Sequence, residues 1–230
     1  MAIPKLLDLL DISGCIVTID AMGCQTDIAQ KIVDAGGDYV LALKKNQAHL
    51  YEDVQFLFED IERNADTDSY RDCDIDTTQT VEKDHGRIET RRAMTLSGSA
   101  CIASLRNASG FTDLNTVVKV TAERDIKSEI SVESRYYISS LDSDAPKLLD
   151  ATRTHWGIEN CVHWVLDIAF REDECRIRKD NGAHNFAILR RIALNLLTAE
   201  KSVKLGVHNK RLNAAWDNEY LLKVLSSLFH

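Results

Sequence analysis

The sequence predicts an α/β protein in which a parallel βαβα unit is followed by an all-β insertion and a helical C-terminal third. Three observations carry that prediction. Two short apolar runs at residues 15–20 and 39–43, the first of them β-branched, flank a segment with helical spacing. Residues 77–96 and 115–141 alternate in the period of strands and are rich in Thr, Val, Ile and Tyr. From Ser143 onward the apolar residues recur at helical intervals.

The first run, CIVTID, is bounded by Gly14 and Gly23 and suits a strand buried on both faces. Thr26 stands where it can cap the helix that follows, Ile28, Ile32 and Val33 share one face, and Gly36-Gly37 close the helix. After the second strand, Asn46 is placed to cap a further helix whose Leu50, Val54, Leu57, Phe58 and Ile61 form one apolar stripe. This order implies a parallel strand pair with a right-handed crossover. The character changes near Asp66, and turns at Asp84-His85-Gly86 and Arg124-Asp125 predict two hairpins. Ser143 or Asp144 caps a long helix with Pro146 in its first turn, running to about residue 168. A helix over 184–201 carries Phe186, Leu189, Ile192, Ala193, Leu196 and Leu197 on its apolar face, and a last helix covers 214–228. Domain boundaries follow at 1–65, 66–142 and 143–230.

With 230 residues, 44% apolar and 28% charged residues and two prolines, the chain can bury a sizeable core and is neither disordered nor collagen-like. It has no apolar run of membrane-spanning length, and acids occupy the start where a signal peptide needs bases, so a cytoplasmic protein without a membrane span is expected. The six cysteines form no CxxC pair and are expected as free thiols. A formal charge of −8 argues against a general nucleic-acid coat. Its distribution is uneven, however: residues 171–211 carry ten bases against five acids, so a polyanion would meet that region. The acidic stretch before Asp84 reads as a solvated surface.

Four features are candidates for chemistry. Asp20 stands where a parallel strand ends, and open α/β sheets bind ligands beyond the carboxyl ends of their strands; it also suits a turn cap. His155, Glu159 and His163 follow at intervals of four in THWGIENCVHW, which on a helix puts them on one face, either sharing a divalent metal or satisfying one another on a wet surface. In KDHGRIETRR, His85, Arg87, Arg91 and Arg92 gather about a turn, with Arg87, Glu89 and Arg91 alternating onto one strand face. That row suits phosphate contacts or ordinary cross-strand ion pairs. FREDECRIRKDNGAHN reads as a solvated connection, or as a phosphate-binding segment if Arg176, Arg178 and Lys179 converge. Trp156 and Trp164 read as core or interface anchors.

Several segments together resemble a known family. IVTIDAMGCQ, DYVLALKKNQ, HGRIETRR, HWGIENCVHWVLD, FREDECRIR, NFAILRRIALNLL and KRLNAAWDNEYLLKVL resemble insertion-sequence transposases of the ISAs type, relatives of the H-repeat-associated proteins within the DDE superfamily. The resemblance runs essentially from end to end. It implies an RNase H-like catalytic domain, here incomplete, that cuts and joins double-stranded DNA at insertion-sequence ends. It implies Mg²⁺, with Mn²⁺ as substitute, as a metal pair held by Asp, Asp and Glu, which activates the attacking oxygen and stabilises the leaving one. By position Asp20 resembles the second Asp and Glu159 the helix Glu, and the β-rich stretch between them resembles the insertion of this branch. His155 falls where relatives commonly place an Arg and Leu166 where they often place a Lys, with Arg153 and His163 nearby.

The resemblance places the first Asp upstream of a helix similar to IPKLLDLLDISG. The expectation is therefore the C-terminal portion of a transposase, catalytically incomplete alone, with an open edge on the Asp20 strand and a homodimer across it. The expected DNA contacts are Arg87, Arg91, Arg92, Arg153, His155, His163, Arg176, Arg178 and Lys179, in a bacterial, nucleoid-associated protein. A non-catalytic DNA-binding or dimerising remnant is the alternative. A zinc hydrolase built on His155, Glu159 and His163 is a third reading.

Overall fold

The computed structural model describes residues 3–64, 73–84, 87–126 and 129–226. The chain divides into two compact units, Met1–His155 and Trp156–His230.

In the first unit, α1 (Ile3–Leu7) leads to β1 (Ile16–Ile19), α2 (Thr26–Asp34), β2 (Asp38–Leu43) and α3 (Ala48–Arg63). Two long hairpins follow, β3 (Asp74–Asp84) with β4 (Arg87–Ser97) and β5 (Thr116–Ile126) with β6 (Glu129–Ser139). The short α4 (Ser99–Ala103) lies between them, and α5 (Ala145–Ile158) comes after β6. Among the described residues the strands form one six-stranded sheet in the order β1-β2-β6-β5-β4-β3. β1 and β2 are parallel, as the sequence predicts, and every other pairing is antiparallel. The predicted hairpins thus continue the sheet of the βαβα unit through the β2–β6 pairing, where Val40 faces Ser139 and Leu43 faces Tyr136.

Alternation along β2 explains the layers. Tyr39, Leu41 and Leu43 join Ile28, Ile32, Leu50 and Phe58 of α2 and α3 in one core. Val40 and Ala42 join Leu148, Leu149 and Ala151 of α5 in another, so helices cover both faces of the sheet. The stripe predicted for α3 is buried in full. All six cysteines are free.

Several local expectations are corrected. β1 is half-buried rather than buried on both faces, because it is an edge strand of the described sheet. Thr26 is the first residue of α2, not its cap; Gln25 precedes it without a side-chain capping bond. Asn46 does not cap α3 but donates to the Ala21 carbonyl at 2.6 Å. Arg124 and Asp125 lie inside β5, opposite Glu89 and Ile88, because pairing continues to Ile126 and Glu129. The predicted turn at His85-Gly86 lies outside the described residues. Asp144 caps α5 by accepting from the Lys147 amide at 2.9 Å. The long helix does not reach residue 168 as one α-helix: a π turn at Glu159–His163 separates α5 from α6 (Trp164–Phe170).

The second unit contains α6, α7 (Gly182–Ala199), α8 (Val207–Trp216) and α9 (Asn218–Ser226). The single last helix of the sequence reading is two, because Asp217 stops α8 and its carboxylate accepts the Glu219 and Tyr220 amides at the start of α9. On α7, Leu196 and Leu197 are buried as predicted, whereas Phe186, Leu189 and Ile192 are exposed. Trp164 is also exposed, at 60%, and is not a core anchor.

A buried polar knot holds this unit. Glu200 accepts from Tyr220 Oη at 2.7 Å and from the Ser202 amide at 2.5 Å, and lies 3.7 Å from Lys210 Nζ. Lys210 in turn donates to the Leu197 carbonyl at 3.0 Å. The Ser202 bond, the Tyr220 bond and the Lys210 charge hold the Glu200 carboxyl down to about 2, against the upward push of burial. A carboxyl depressed by folding stabilises above its ordinary value and loses that contribution as pH falls toward its folded value. Unfolding followed by tryptophan fluorescence, with Trp164 and Trp216 inside this unit and Trp156 at its start, is expected to show stability falling from about pH 4.5 toward about 2. Glu200→Gln should flatten that slope. Lys210→Ala should cost on the order of 3 kcal/mol by leaving Glu200 buried and uncompensated.

Candidate active site

β1 ends at Asp20 because the side chain turns back onto its own backbone. Asp20 Oδ1 accepts from the Ala21 amide at 2.7 Å and so caps the tight turn Ala21–Gly23. Gly23 lets that turn lie on the strand, since a Cβ there would collide with Ile19 Cγ2. The carboxylate nevertheless remains 54% exposed. Its predicted roles as cap and as functional carboxylate are therefore compatible.

Three partners set its charge. The Ala21 hydrogen bond holds the Asp20 carboxyl below the usual carboxylate range, the small burial opposes it, and Lys44 and His155 add to the lowering. Lys44 Nζ, at the end of β2, lies 3.4 Å from Oδ1. His155 arrives from α5, its Nδ1 3.2 Å from Thr18 Oγ1, two residues before Asp20 on β1. Asp20 is ionised at neutral pH, and no bond to Oδ2 is found among the described residues.

Asn46 and Gln47 complete the arrangement by donating to the carbonyls of Ala21 and Cys24 at 2.6 and 3.0 Å. The sequence reading missed Lys44, Asn46, Gln47 and Thr18. Its own signal reached further: KKNQ follows a parallel strand as Asp20 does, so the carboxyl-end rule applies to both.

The arginine row is assembled differently from a free cationic strip. Glu89, whose side chain is 4% exposed, sits among Arg87 at 3.5 Å, Arg91 at 2.7 Å and Arg124 at 2.9 Å. Burial pushes the Glu89 carboxyl up, but the Arg124 hydrogen bond and the charges of Arg91, Arg124 and Arg87 outweigh it and hold it low. Arg91 also meets Glu82 at 2.9 Å, and Glu82 pairs with Arg153 of α5. The alternation that grouped Arg87, Glu89 and Arg91 holds, with ion pairing as its outcome. Arg92 lies on the opposite face, donating to Gln79 at 2.9 Å and lying 3.6 Å from Glu123.

The remaining predicted residues belong to the second unit. Glu159 opens the π turn and His163 closes it, with His163 exposed. The wider pitch of that turn replaces the regular α-helical spacing on which the His155, Glu159, His163 series was based. Arg176, Arg178 and Lys179 are exposed between α6 and α7, Arg178 donating to the Cys175 and Ile177 carbonyls. Among the described residues no group of three His, Cys, Asp or Glu side chains converges as a metal site.

Residues 2–196 match the family model described as Transposase DDE domain. Over 231 aligned residues the chain is 42% identical to "Putative protein YbfL" of Escherichia coli (strain K12), covering 98% of this chain and 58% of that protein. It is 41% identical to "H repeat-associated putative transposase YhhI" of the same strain, with the same coverage. It is 40% identical to "Putative transposase YncI" of Escherichia coli O157:H7, covering 98% of this chain and 56% of that protein. The chain thus spans 56–58% of the length of these curated relatives.

The two kinds of arginine should separate in urea denaturation followed by circular dichroism. Glu89→Ala, which strands Arg87, Arg91 and Arg124, is expected to lower stability by roughly 3 kcal/mol. Arg92→Ala, on an exposed side chain, should stay within about 0.5 kcal/mol. Equal effects would refute the structural role assigned to Glu89.

Proposed function

The chain belongs to the Transposase DDE domain family, and from that premise we propose that it works within an insertion-sequence transposase that cuts and joins DNA strands, with Asp20 and Glu159 as metal-binding carboxylates. The family implies an RNase H-like fold, and the mixed sheet with helices on both faces is of that α/β class. The observation that carries the reading is Asp20 itself. It is ionised and half-exposed at the carboxyl end of a parallel strand, and it is fixed at one oxygen by its own turn.

That carboxylate fits one ligand position of a hard divalent cation, which prefers oxygen donors to imidazoles. On the family resemblance Asp20 and Glu159 would supply oxygen ligands to Mg²⁺, or Mn²⁺ in its place, in preference to the imidazoles of His155 and His163. When bound, the metal supplies Lewis-acid stabilisation of the attacking and leaving oxygens. The chain's own residues bind and orient the DNA. His155, anchored on Thr18 beside Asp20, serves as a backbone contact at the site. Exposed Arg92, Arg176, Arg178 and Lys179 supply charge for the duplex, and exposed His163 a ring hydrogen bond. Arg87, Arg91 and Arg153 contribute through a network that also ties α5 to the sheet. Among the described residues no helix is long and apolar enough to cross a membrane.

The resemblance assigns a third carboxylate upstream of Asp20. In nicking of supercoiled DNA with Mn²⁺ or Mg²⁺, whatever cleavage the chain shows is expected to vanish in Asp20→Asn and Glu159→Gln. Cleavage that survives both substitutions would remove the assignment. DNA binding without cleavage in all three proteins would favour the non-catalytic reading. A homodimer is proposed across the edge of β1, where the described sheet ends. Light scattering should then give twice the chain mass, and a monomer at every concentration would exclude it.

A further inference from the structure

The turn after β2 is fastened to the turn after β1 by neighbouring side chains with different duties. Asn46 and Gln47 bind the Ala21 and Cys24 carbonyls and fix the backbone of the turn. Lys44 and Lys45 remain exposed on it. Lys45 makes no ion pair among the described residues. Among the described residues Lys44 pairs with Asp20 Oδ1, at 3.4 Å, and it keeps 59% of its side chain exposed. Glu133 of β6 also feels its charge, but that carboxylate is held by Arg135 at 2.8 Å. His155 is the other titratable group acting on Asp20.

An exposed pair at that distance holds Lys44 weakly. Asp20 alone would repel a phosphate, and Lys44 cancels that charge. Two exposed lysines at consecutive positions of a pinned turn suit the oxygens of a phosphodiester, which a lysine binds as a point charge.

We propose that Lys44 and Lys45 form a phosphodiester-binding site for the DNA strand at Asp20, with Lys44 parked on Asp20 until that carboxylate is neutralised or taken by a divalent cation. The metal-dependent part rests on the assignment of Asp20 as a metal ligand; the phosphate site itself does not.

Fluorescence anisotropy with a labelled random-sequence duplex tests both parts. In EDTA, Asp20→Asn, which keeps a capping side chain, is expected to bind about fivefold tighter than the unsubstituted chain because Lys44 is released. Lys44→Gln placed on Asp20→Asn should erase that gain and reduce the salt slope by about 1. Lys45→Gln should weaken both backgrounds equally. A double variant that keeps the affinity and slope of Asp20→Asn would overturn the proposal. Mg²⁺ should raise the unsubstituted chain to the level of Asp20→Asn. If it does not while the double-variant pattern holds, the metal assignment of Asp20 falls and the lysine site stands.

Discussion

The first unit depends on the pairing of β2 with β6. β2 is the strand that meets a parallel neighbour on one edge and an antiparallel one on the other, and its residues alternate into two cores. Polar side chains lock the end of this junction. Ser139 Oγ donates to the Tyr39 carbonyl at 2.8 Å, and Ser140 Oγ accepts from the Tyr39 amide and donates to Asp38. Since α5 starts six residues after β6 ends, that register decides where α5 lies and brings His155 to Thr18. A slip of one residue would turn every β2 side chain to the wrong face.

Two carboxylates of the same unit show how environment divides roles. Glu89 is enclosed by three arginines, so its charge is spent on joining β4 to β5. Asp20 is held at one oxygen by a neighbouring amide and approached by a loosely attached lysine, so its charge stays accessible. Burial and the number of fixed cations separate an acid tied up in the fold from one that stays accessible. Arg153 links the two settings, because its pair with Glu82 anchors the same helix that carries His155.

Element types were legible from periodicity, and the places where the reading slipped share a cause. Asn46 and Thr26 carry cap chemistry by residue type, but the Ala21 carbonyl claims the Asn46 amide, and the chain enters α2 one residue early. Arg124 and Asp125 look like turn residues until cross-strand pairing continues through them. The apolar start of α7 reads as buried, yet Phe186, Leu189 and Ile192 meet no covering surface within the described residues. The Asn46 and Arg124-Asp125 outcomes depend on partners distant in sequence.

For the site, the sequence alone determined that Asp20 ends a strand and that Arg87, Glu89 and Arg91 share a face. Those follow from local spacing and residue identity. Only the tertiary structure decided that Glu89 consumes the arginine charge, that Lys44, Asn46 and Gln47 join the Asp20 turn, and that His155 is anchored on β1. The contacts of the Asp20 turn and of His155 span between 23 and 137 positions of chain. They are settled by sheet register and helix packing, which no single stretch of sequence contains.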